Sequence, residues 1–120
     1  MARKRNPFAP SEDQITAAVV DHWKAFGLPG TMVASIPNKR AFGQPGLKRG
    51  LADLLVLAPT LPVGFIELKR DERSPISDAQ HDFAMACHKL AIPYERAIGR
   101  DEPIRVLEQW GVVRAQARAA

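Results

Sequence analysis

Three ionisable residues stand in apolar surroundings that would not hold them without a reason. Asp53 lies between Leu51-Ala52 and the run Leu54-Leu55-Val56-Leu57, while Glu67 and Lys69 lie inside Val63 to Arg70. A charge buried in such a run is costly unless it is paired or bound to a cation. Strand geometry relates the three. Glu67 and Lys69 are two apart and share one face of a strand, leaving Ile66 and Leu68 on the other. If the connection between the runs turns at Thr60, Asp53 and Glu67 are each seven residues from its centre and lie opposite one another. Carboxylates so opposed, with Cβ atoms roughly 4.5–5.5 Å apart, repel. A divalent cation between them turns repulsion into coordination. An odd shift of register would instead put them on opposite faces and break the site.

Hard oxygen donors, few in number and without a His or Cys cluster, suit Mg²⁺ or Mn²⁺ rather than zinc, with waters and substrate phosphate completing the shell. Phosphodiester hydrolysis uses that arrangement. The metal polarises the phosphoryl oxygen and acidifies a bound water, and an ammonium such as that of Lys69 orients the nucleophile or offsets transition-state charge. The plainer readings are a surface ion pair for Glu67 and Lys69 and a strand-start cap for Asp53. The apolar flanks weigh against both.

The elements that must position these residues follow from periodicity and punctuation. Ser11 with Gln14 is a capping-box pattern, followed by Ile15, Val19, His22, Trp23 and Phe26 at helical spacing until Gly27. Thr31 to Ile36 reads as a short strand, and Lys39 to Gly50 as a long loop. Leu51 to Ala58 and Val63 to Arg70 read as strands of a hairpin, apolar on both faces and so expected to be covered on both sides. Asp71 to Pro75 is a polar break. Ser77 with Gln80 caps a helix carrying Phe83, Cys87 and Leu90, and Tyr94 to Ile98 is a strand. Gly99 to Pro103 turns into a last helix, Ile104 to Trp110. The expectation is a mixed α/β fold with helices about a central sheet. The histidines lack partners at ligand spacing, and Trp23, Phe83 and Trp110 fit helix stripes that face a core.

At 120 residues, with 46% hydrophobic and 25% charged, the chain has the size and balance of one globular domain. The bounds expected are a basic arm over 1–10, the domain over 11–112 and a flexible tail over 113–120. The single cysteine excludes an internal disulfide and a cysteine-rich zinc site. No apolar run approaches a membrane span, so a cytoplasmic protein is expected. A net charge of +4 favours polyanionic partners. Lys39, Arg40, Lys48 and Arg49 crowd the loop before Asp53, suited to DNA phosphates, although solvated surface is the alternative.

The segments Gly50-Leu-Ala-Asp53, Phe65-Ile-Glu67-Leu-Lys69 and Ser77-Asp-Ala-Gln80 resemble the VRR-NUC family of PD-(D/E)xK nucleases, over about Glu12 to Val112. The resemblance implies a restriction-endonuclease-like fold similar to that of Holliday-junction resolvases. It also implies Mg²⁺ or Mn²⁺ held by Asp53, Glu67 and the backbone carbonyl of Leu68. Glu12 matches an acidic residue of the family's first helix and becomes a further candidate ligand, with a plain first-turn acid as its alternative. Gln80 matches a glutamine that approaches the site from its helix, again with simple capping as the alternative. Ala52 stands where the motif name has proline, a position that shapes the turn and carries no chemistry. The expectation is a structure-selective DNA endonuclease acting as a homodimer, since symmetric cutting of branched DNA needs two sites. Rival readings are a flap or single-strand nuclease, a non-catalytic nucleic-acid-binding module, and an enzyme of small phosphate esters. The basic loop argues against the last.

Overall fold

Two Ser-x-x-Gln segments start the helices that frame the site, and both form full capping boxes. In each the serine hydroxyl accepts the glutamine's backbone N–H while the glutamine side chain takes the serine's own N–H, satisfying two donors that a helix start leaves open. The computed structural model describes residues 8–37 and 48–116. Its elements in order are α1 (Glu12–Phe26), β1 (Met32–Ser35), β2 (Leu54–Ala58), β3 (Leu61–Lys69), α2 (Asp78–Lys89), β4 (Tyr94–Ile98) and α3 (Asp101–Gln109). The sheet runs β1-β2-β3-β4, antiparallel except for β4, which is parallel to β3 and is reached through α2.

Even-numbered residues of β2 and β3 face the main core. Leu54, Val56, Ile66 and Leu68 pack there with Ile15 and Val19 of α1, Ala97 of β4, Val106 and Leu107 of α3, and Val112. On the other face α2 sets Phe83 edge-on to Phe65 and Tyr94, with ring centres 5.0 and 6.0 Å apart. That cover lies over β3 and β4. Leu55 and Leu57 of β2, expected to be covered as well, are only half-buried among the described residues. No helix of the described residues is long and apolar enough to cross a membrane.

Register is the feature that matters for the site. Leu54 pairs with Ile66, Leu55 with Phe65 and Val56 with Gly64, as a turn centred on Thr60 requires. Next to the turn, however, Ala58 pairs with Leu61, a two-residue connection through Pro59 and Thr60 whose register is one residue off. Continued unchanged, it would set Asp53 against Ile66. The correction occurs between these pairs, where Leu57 alone spans the distance that Pro62 and Val63 cover on β3. This is a bulge, and Pro62, lacking an N–H for a ladder, is a residue suited to one. The extra residue aligns both the core faces and the site faces of the two strands.

β3 begins two residues before the expected Val63, and three other boundaries also depart from expectation. β2 begins at Leu54, so Leu51 to Asp53 precede the strand, with Asp53 at a bend. Helix α3 starts at Asp101 instead of Ile104. Pro103 is tolerated because it occupies the first turn, where backbone N–H groups have no intrahelical partner. The chain also stays packed past residue 112, where the tail was expected to begin. Val113 is buried and bridges Gly27, and the Arg114 N–H donates to the Phe26 carbonyl at 3.0 Å.

Candidate active site

One step beyond the Leu54–Ile66 pair, the register brings Asp53 opposite Glu67. The Asp53 carbonyl accepts the Ile36 N–H at 2.8 Å, so its backbone bonds towards β1. Glu67 lies between Phe65 and Lys69, whose backbones bond towards β4 through Phe65 N–H to Pro93 and Gly99 N–H to Lys69. Opposed residues whose backbones both point away from each other form the closer kind of antiparallel pair, with Cα atoms about 4.5 Å apart. The register thus sets the two carboxylates near one another, with Asp53 at the bend just ahead of β2.

Each is held by a neighbour. Asp53 Oδ2 accepts the Leu68 backbone N–H at 2.7 Å. Since a strand residue directs its N–H and C=O to the same edge, the Leu68 carbonyl also faces the edge where Asp53 sits. Glu67 is 3% exposed. Its Oε1 accepts from Gln80 Nε2 at 3.3 Å, and its Oε2 is buried with no hydrogen-bond partner among the described residues. Burial pushes the Glu67 carboxyl up to about 9, helped by a hydrogen bond and negative charge from Asp53, opposed by Lys69, and raised slightly further by Glu12. Glu12, in the first turn of α1, is thus near enough for its charge to reach the site.

Lys69, 4% exposed, donates to the Pro75 carbonyl at 2.8 Å and to Gln80 Oε1 at 3.1 Å. Gln80 accordingly does both things its sequence context offered. Its Oε1 also accepts the Ser77 N–H at 3.0 Å, completing the capping box, while its amide bridges Lys69 and Glu67. Gly50 makes this approach close. It has a positive φ of 87°, and a Cβ there would run into the backbone carbonyl of Ala79, the residue before Gln80. The stretch leading into Asp53 is thereby seated on the first turn of α2.

Of the basic loop, Lys48 and Arg49 are exposed two residues and one residue ahead of Gly50, and Lys39 and Arg40 lie outside the described residues. Two contributors escaped the sequence reading. One is Pro75, which acts through its carbonyl. The other is Tyr94, whose phenol is pushed up to about 12 by burial and then by the charges of Glu67, Cys87 and Asp53, against Arg96. Tyr94 pairs with Phe65 and so shares the face of Glu67, a fact that the pairing of β4, not its composition, supplies.

The donor set fits a hard divalent cation. A buried, unpartnered carboxylate oxygen faces a second carboxylate, with a backbone carbonyl at the same edge. Among the described residues no three His, Cys, Asp or Glu side chains could enclose a metal by themselves. Two carboxylates with the remaining positions left to water and substrate phosphate is the pattern Mg²⁺ takes.

No protein-family model matches the sequence, and no curated protein matches it. Solved structures do. One described as a "VRR_NUC domain protein" superposes with a TM-score of 0.72 at 25% identity, covering 85% of this chain and 88% of its own. The chain thus shares the fold of VRR_NUC domain proteins. A second structure, described as a "VRR_NUC domain", gives 0.60 at 20% identity over 81% of this chain and 94% of its own, a likeness of fold. The architecture is restriction-endonuclease-like, as in these VRR_NUC neighbours.

Proposed function

We propose that this chain is a Mg²⁺- or Mn²⁺-dependent DNA endonuclease of the cytoplasm, selective for branched structure and active as a homodimer. The observation that carries the reading is the opposition of Asp53 and Glu67, with a buried Glu67 oxygen that has no hydrogen-bond partner among the described residues, beside an ammonium that donates to the neutral Pro75 carbonyl and Gln80 amide. Asp53, Glu67 and the Leu68 carbonyl would hold the metal, with Glu12 a further acidic group near it. When bound, the ion supplies Lewis acidity towards a phosphoryl oxygen and lowers the pKa of a water.

The chain's own residues do the rest. Leu68 N–H and Gln80 Nε2 each take up one carboxylate oxygen and fix its orientation. The Lys69 ammonium can orient the attacking water or offset the charge developing on the phosphate. Lys48 and Arg49, together with Lys39 and Arg40, would hold flanking phosphates, which positions the duplex without reading its sequence.

Cleavage of a panel of four-way junctions, flaps, duplexes and single strands in Mg²⁺ or Mn²⁺, with mass measured by light scattering, tests this reading. Preferential cutting of branched DNA by a dimer is expected. Preference for single strands or flaps would favour the rival nuclease, and binding without cleavage the non-catalytic module.

A further inference from the structure

We propose that the turn from Asp71 to Pro75 is a positioning device for Lys69, with Ser74 as its key residue. The inference rests on the nuclease reading above and adds residues to it.

The chain leaves β3 at Lys69, and six residues later the Pro75 carbonyl returns to accept from that same lysine's ammonium at 2.8 Å. Such a return needs a tight reversal of fixed shape, and four hydrogen bonds between Asp71, Arg73 and Ser74 provide it. Asp71 Oδ1 accepts the Arg73 N–H at 2.9 Å, and the Asp71 carbonyl accepts the Ser74 N–H at 3.2 Å. Ser74 Oγ accepts the Asp71 N–H at 3.3 Å and donates to Asp71 Oδ1 at 3.4 Å. Ser74 is buried, which a serine tolerates when its hydroxyl is bonded in this way. Pro75 then restricts the backbone of Ser74 to extended conformations and fixes its own φ, which leaves the ψ of Pro75 as the main freedom between Ser74 and the carbonyl.

The turn's residues lie outside the hydrophobic core cluster. What it holds is the ammonium. An ammonium has three N–H donors. The turn takes one and Gln80 another, from separate elements on either side of Ile76, and two fixed points aim the third N–H. Because Pro75 is a neutral acceptor, the aim is set without cancelling the charge.

The test is steady-state cleavage by the full chain on its best DNA substrate in Mn²⁺, with DNA affinity measured in Ca²⁺ and folding followed by circular dichroism. Ser74→Ala is expected to lower kcat about tenfold or more, the scale on which small misplacements act, with KM and DNA affinity unchanged. Ser74→Thr keeps the hydroxyl and should restore kcat. Asp71→Ala, which removes the other half of the network, should show the same split should Ser74→Ala fold poorly. A cleaving wild type whose Ser74→Ala and Asp71→Ala variants match it in kcat, or lose kcat and affinity together without rescue by threonine, overturns this inference alone. A wild type that cleaves none of the DNAs overturns the nuclease reading and this inference with it.

Discussion

The two capping boxes are the same device in two places. Ser11 with Gln14 and Ser77 with Gln80 share residue types, spacing and paired bonds, at 2.9 and 3.1 Å in the first and 3.0 and 3.1 Å in the second. Gln14 is exposed and, among the described residues, only caps. Gln80 is half-buried above β3, so the same amide also accepts from Lys69 and donates to Glu67. The local motif sets the start of a helix, and its neighbour across space decides whether it does anything more. A capping residue whose second valence points into a charged cluster becomes part of that cluster at no extra cost in ordering, since the cap already fixes its rotamer.

Removing what the second box holds should break the comparison most completely. Lys69→Met keeps most of the stem and removes the ammonium, so single-turnover cleavage should fall by orders of magnitude while DNA affinity in Ca²⁺ persists. Wild-type cleavage by this variant would make Lys69 structural.

The boxes themselves come next. Gln14→Ala and Gln80→Ala should each cost roughly 0.5–1.5 kcal/mol of stability, the net worth of a typical hydrogen bond. Only Gln80→Ala should lose cleavage, about tenfold or more. Glutamate also completes a capping box, so Gln80→Glu should recover the helix but not the rate, because it cannot donate to Glu67. Equal rates for the two alanine variants would reduce Gln80 to a cap.

A third difference between the regions is the raised Glu67 carboxyl, which the first box has no counterpart to. Its ordinary value of 4.5 describes the unfolded chain, and about 9 describes the folded one. Between those values the folded protein binds more protons, so the stability of metal-free protein should fall as pH rises from about 4.5 to about 9 and then level off. Thermal melts in a chelator should show this slope in the wild type and a flatter profile in Glu67→Gln. Parallel profiles would mean that Glu67 ionises freely.

The smallest effect belongs to the loop seated on α2 by Gly50. Lys48→Ala should weaken DNA binding about equally for all sequences and reduce the salt-dependence slope by about one unit or less. An unchanged slope would remove Lys48 from the binding surface.

Much of the site was legible from residue types and spacing. The strand period placed Glu67 and Lys69 together, and the hairpin placed Asp53 opposite Glu67. The agreement depended on the Pro62–Val63 bulge, which the sequence analysis did not foresee and without which the short turn would have parted the two carboxylates. Asp71 to Pro75 read only as a polar break, because its role lies in a backbone carbonyl and backbone atoms carry no residue signature. The Asp71 and Ser74 pair was the one visible clue, as such residues three apart often knit turns. Tyr94 was placed in the correct strand, but its neighbourhood to Glu67 depends on a parallel pairing across α2 that no local pattern encodes. Helix α3 begins three residues before the expected Ile104 because Pro103, which reads as the end of a turn, is accommodated in a helix's first turn.

The most direct measurement of the central claim compares wild type with Glu67→Gln in two assays on the same samples, Mn²⁺ binding by calorimetry and cleavage of labelled DNA. Gln keeps the shape and removes the charge that opposes Asp53. The account predicts that the variant stays folded, is at least as stable as the metal-free wild type, loses Mn²⁺ affinity and loses cleavage. A folded Glu67→Gln protein that binds Mn²⁺ and cuts DNA as the wild type does would contradict it.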